Sequence, residues 1–89
     1  MTYLVETSRN GRHQIKSGYT IGEELNVVRD LYLTLIKNTC EEMERAYPGR
    51  VIQIPLKPDH TLHEGVRFIA TDGAGGKQGD VYTIELHKV

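Results

Sequence analysis

The 89 residues carry a net charge of −1 and a single cysteine, which is enough chain for one domain and too little for two. Near-neutrality argues against a broad basic face for nucleic acid. Cys40 alone excludes both an internal disulfide and a thiolate metal cluster within the chain, and the most apolar run, Leu31 to Ile36 between Asp30 and Lys37, is far short of the roughly 20 residues of a membrane helix.

Leu, Ile, Val and Phe make up about a quarter of the chain, above the roughly 20% below which disorder is the default. With one Phe and no Trp the core must be mostly aliphatic, so stability is expected to be modest and self-association would add to it. The opening Met-Thr-Tyr-Leu-Val-Glu has neither the basic nor the apolar region of a signal peptide. Cytoplasm is the expected compartment.

In chain order, the first signal is Asn10-Gly11, which suits the two positive-φ positions of a type I′ turn between Tyr3–Arg9 and Arg12–Ser17. A two-residue loop sets Arg9 opposite Arg12. Thr20 followed by Glu23 has the form of a capping box and predicts a helix starting there. At 100° per residue, Ile21, Leu25, Val28, Tyr32, Leu35, Ile36 and Met43 share one face. Glu23, Asn26, Asp30, Lys37, Glu41 and Glu44 gather opposite them. Pro48-Gly49 predicts the stop near Ala46 or Tyr47. Val27 and Leu33 fall on opposite flanks of the stripe and are the candidate contacts for a second copy of the chain.

Three strands follow by composition, at Arg50–Leu56, Val66–Thr71 and Asp80–Lys88. The last alternates Tyr82, Ile84 and Leu86 against Thr83, Glu85 and His87. Pro55 lacks the amide of a central strand, so its strand lies at an edge or ends there. The expected fold is a single α+β domain over residues 1–89 in the order β-β-α-β-β-β, with one long amphipathic helix across a mainly antiparallel sheet.

Four segments bear on chemistry. Residues 72–79 are rich in glycine, and Gly73, Gly75, Gly76 and Lys77, with Arg67 or Arg12 nearby, are the types that hold a small anionic, nucleotide-like ligand. Gly76-Lys77 is followed by Gln78 and a strand, however, where a P-loop needs Ser or Thr and a helix. A connector between antiparallel strands accounts for the same residues, and Asp72 and Asp80 put negative charge at both ends of the supposed anion site. His60 and His63, with Asp59 and Glu64, are ligand types for a divalent metal and would serve a metal-dependent enzyme, with His13 or His87 as a third ligand. Their spacing does not match the helical zinc-protease pattern, and Pro58 before them predicts a loop.

Arg9, Arg12, His13 and Lys16 form a small basic excess that a charged sheet edge explains without nucleic acid. Cys40, followed by Glu41 and Glu42 late in the helix, sits where no thiolate is favoured and is expected to pack. No nucleophile elbow or oxyanion loop supports hydrolase chemistry. The resulting expectation is a non-catalytic interaction or regulatory protein, homo-oligomeric and binding protein, needing no cofactor. A receptor for an anionic ligand is the alternative, and the metal-dependent enzyme comes third.

Overall fold

The computed structural model describes residues 2–10, 12–13, 20–71 and 78–88. Its elements are β1 (Tyr3–Arg9), β2 (Arg12–His13), β3 (Thr20–Gly22), α1 (Leu25–Ala46), β4 (Val51–Pro55), β5 (Leu62–Thr71) and β6 (Gln78–Lys88). Every strand pair is antiparallel. The strands lie in the order β2-β1-β6-β5-β4, with β3 also paired to β1. One helix packed on one antiparallel sheet is the α+β domain that the sequence predicts, with a third short strand before the helix.

The hairpin forms with the expected register, Ser8 opposite His13 and Arg9 opposite Arg12. Asn10 takes a φ of 53°, the left-handed conformation that the first position of a type I′ turn requires. Gly11 and residues 14–19 lie outside the described residues, so the expected second strand is described only at Arg12–His13.

The capping box does not form. Thr20 and Ile21 pair instead with Val5 and Leu4 of β1, and the helix begins at Leu25 with Glu24 as its N-cap and no side-chain capping hydrogen bond. Sheet pairing satisfies backbone groups that a local cap would have served, and it moves Ile21 from the helix to the sheet. The C-terminal end follows expectation. Tyr47 N–H donates to Met43 O at 2.7 Å, and Gly49 turns the chain at a φ of +71°.

β5 is longer than its composition suggests, running from Leu62 and so taking in His63 and Glu64. A register shift between Leu62 and Glu64 breaks the alternation that would mark the strand in sequence. The preceding loop is closed by Asp59, whose Oδ1 accepts from Leu62 N at 2.8 Å and Thr61 N at 2.9 Å. Those two amides hold its carboxyl below the usual carboxylate range.

Val28, Tyr32 and Met43 of α1 meet Val5, Val66, Phe68, Ala70, Ile84 and Leu86 of the sheet in one core. Phe68 and Leu86 are fully buried, each contributing about 2–3 kcal/mol by transfer from water. Leu25, Leu35, Ile36 and Cys40 pack around that centre, which leaves Cys40 a half-buried packing residue. Arg29 Nε donates to both Glu64 oxygens at 3.1 Å, an exposed tie from helix to β5. Among the described residues no helix is long and apolar enough to cross a membrane.

Candidate functional site

The helix covers one face of the sheet. By register the other face carries Glu6 of β1, Thr83, Glu85 and His87 of β6, Arg67 and Ile69 of β5, and Ile52 and Ile54 of β4. Ile52 is 56% exposed and Ile54 41% exposed. They sit on opposite sides of Gln53, so both side chains stand on the open face. Val51, one position earlier, turns toward the core and packs against it.

The backbone of β4 is equally one-sided. Thr71 N–H donates to Arg50 O at 3.2 Å, and Leu56 N–H donates to Gly65 O at 2.9 Å. Alternation along the strand then turns the amides and carbonyls of residues 50, 52, 54 and 56 toward β5 and those of Val51, Gln53 and Pro55 outward. Pro55, which has no N–H, falls on the outward side, where a sheet tolerates it. Among the described residues no strand pairs with that outer edge.

A second polar cluster is organised around Asp80. Tyr47 OH donates to Asp80 Oδ2 at 2.6 Å, Asn10 Nδ2 donates to Oδ1 at 3.1 Å, and Arg9 Nη2 donates to Oδ2 at 3.3 Å. The bond from Tyr47, then that from Asn10, holds the carboxyl below the usual carboxylate range, and the same bond raises the Tyr47 phenol. Gly79 makes room for this arrangement, because a Cβ there would lie 3.1 Å from Tyr47 Cε1. Arg9 also stacks over Tyr82, 5.4 Å from the ring centroid.

Beside this corner a cleft of about 310 Å³ opens between helix and sheet, lined by Thr7, Arg9, Leu35, Asn38, Thr39, Glu42 and Tyr82. Among the described residues its titratable lining groups are Arg9, Glu42 and Tyr82. Arg9, its one cation, is already matched by Asp80.

No known protein family, curated protein or solved structure matches this chain.

Those of the residues singled out from the sequence that are described lie on several different elements. Gly73, Gly75, Gly76 and Lys77 lie outside the described residues. The strands they join are antiparallel neighbours with Thr71 opposite Gln78, so the connector is six residues long rather than eight. Arg67 is exposed on β5, its Nε 3.4 Å from Thr83 Oγ1. Arg12 lies on β2 opposite Arg9 of β1, and β2 is three strands from β5 in the sheet, roughly 14 Å between backbones. His60 is exposed in the loop before β5, whereas His63 is half-buried with its ring edge-on to Tyr3, 6.3 Å between centroids. Among the described residues, the ligand types that converge are Glu6, Glu85 and His87, and neither His60 nor His63 belongs to that set.

Val27 and Leu33 are exposed, at 54% and 44%, and they remain on opposite flanks of α1. Leu31, 43% exposed, adds a neighbour to Val27 one turn on, but a single flat contact does not reach Leu33 as well. Sequence reasoning missed Ile52 and Ile54. The Ile-x-Ile spacing next to an edge-type proline was the available signal, but alternation alone does not say which face a strand turns to the core.

Proposed function

We propose that this protein acts by protein–protein binding rather than catalysis, and that its first partner is a second copy of itself, joined edge to edge along β4. The observation that carries this reading is the outer edge of β4, uncharged from Val51 to Pro55, beside two exposed isoleucines. Such an edge is a template for another strand unless a protein blunts it.

The edge is also self-complementary. An antiparallel pairing with its two-fold axis at Gln53 sets Gln53 opposite its counterpart in a doubly hydrogen-bonded pair. The Val51 N–H of each copy meets the Pro55 carbonyl of the other, so the missing proline amide costs only one bond on each side. In the same register Ile52 faces Ile54 of the second copy at a non-hydrogen-bonded position, where side chains approach most closely. The contact uses the same patch on both subunits, as closed two-fold dimers do.

Sedimentation at tens of micromolar tests the reading. The intact chain should run as a dimer, and Gln53→Pro should run as a monomer, because it removes an outward amide while sparing the bonds from β4 to β5. Leu33→Glu should leave the dimer intact. A monomeric wild type, or a dimer lost with Leu33→Glu and kept with Gln53→Pro, overturns the assignment to β4.

A further inference from the structure

We infer that Glu6, Glu85 and His87 form a binding site for a divalent transition-metal ion, with zinc the best match to their donor set. The site lies on the open sheet face, apart from the β4 edge, and does not depend on it. Glu6 and Glu85 are direct cross-strand partners on β1 and β6, and His87 follows Glu85 by two residues, which returns it to the same face. His87 Nε2 lies 3.5 Å from Glu85 Oε2 and 3.9 Å from Glu6 Oε2. One ligand atom from each residue falls within 4.8 Å of the other two.

Two features favour an ion over a chance cluster. The first is distance. Zinc–nitrogen and zinc–oxygen bonds of about 2.0–2.2 Å in tetrahedral geometry put neighbouring ligand atoms about 3.3–3.6 Å apart, close to the two separations seen here, so small side-chain rotations complete the set.

The second is the mounting. All three ligands project from paired strands in the middle of the sheet, so register fixes them rather than a loop. On the other side of Glu85 stands Gly65, which brings no side chain toward the carboxylate, and Leu56 fills the space a Cβ would take. The ligands are half-buried, with side-chain exposures of 26% for Glu6, 28% for Glu85 and 20% for His87. Partial burial next to an apolar wall strengthens the attraction between ion and ligands. One nitrogen and two oxygens match zinc better than calcium or magnesium, which favour all-oxygen shells. Water would complete the fourth position.

The competing arrangement is a protonated His87 bridging the two carboxylates without metal. Titration of zinc chloride into the chelator-stripped full chain, followed by calorimetry and by thermal melting, separates the two. We expect one zinc per chain, a rise in Tm with zinc, and cobalt substitution giving the visible absorption of a four-coordinate ion. Glu85→Gln and His87→Asn should each lower zinc affinity at least tenfold, while the double variant His60→Ala with His63→Ala should bind as the wild type does. Circular dichroism establishes that each variant is folded, and Glu6→Gln replaces any that is not. Absence of saturable one-to-one binding, or binding unchanged by the Glu85 and His87 substitutions, overturns the site.

Discussion

Gly65→Ala isolates the packing of one position on the open sheet face. A Cβ built at Gly65 would lie 2.8 Å from Leu56 Cδ1, 3.2 Å from Leu56 Cβ and 3.3 Å from Leu56 Cγ. Rotating the leucine removes the first contact but not the Cβ contact. The two backbones are themselves tied by the Leu56 N–H bond to Gly65 O at 2.9 Å, so they cannot simply separate. Overpacking of this kind costs about 1–3 kcal/mol, whereas replacing glycine by alanine within a strand returns about 0.5–1 kcal/mol of backbone entropy. The expected net loss is about 1 kcal/mol, read as a Tm lower by about 4–8 °C for a domain of this size. Repeating the substitution in Leu56→Ala removes the Cγ and Cδ contacts and leaves only the 3.2 Å approach to Cβ, so there Gly65→Ala should cost clearly less than in the wild type. Urea denaturation of the four proteins completes the double-mutant cycle. Equal effects of Gly65→Ala in both backgrounds would refute the packing argument.

Two further predictions follow from the helix start and the Asp80 corner. Glu24→Ser places a good capping side chain where α1 begins without one, and should raise unfolding free energy by about 0.5–1 kcal/mol in urea; no gain would place the helix start elsewhere. Asp80 has its carboxyl held below the usual range by Tyr47, Asn10 and Arg9, so its contribution is fully present above the unfolded value of about 3.9 and is lost as pH falls through the lower folded value. Tyr47→Phe should therefore flatten the fall in stability below about pH 4, measured by denaturant midpoints; an unchanged acid slope would show that the Tyr47 bond does not tune Asp80.

The parts of the fold legible in the sequence are those whose signal is local. Asn10-Gly11 dictates its turn through backbone conformation alone, and the register of Arg9 with Arg12 follows from loop length. The stripe from Leu25 to Met43 is long enough that its 3.6-residue period is unambiguous. What could not be read depends on partners distant in sequence. Thr20 makes a plausible cap until β1 offers it a strand to pair with, and the irregularity at His63 removes the alternation that would have announced the start of β5. The same holds for the candidate sites. His60 and His63 are near neighbours in the chain and belong to no three-ligand group among the described residues, whereas Glu6 and Glu85 become neighbours only through the pairing of β1 with β6. Likewise, Ile52 and Ile54 look like core residues by type, and only the placement of α1 leaves their face open.

The convergence on Asp80 also has a kinetic side. Its partners Arg9, Asn10 and Tyr47 are 71, 70 and 33 residues away along the chain, so forming the corner closes large loops around a single carboxylate. Closing such loops costs entropy before the contacts return any energy. The hairpin at Asn10 and the helix ending at Ala46 can each form from nearby residues, but the junction between them must wait until β1 and β6 have found each other. The corner is thus a late seal on the folded chain, and its strength bears more on how long the structure stays closed than on how fast it is reached.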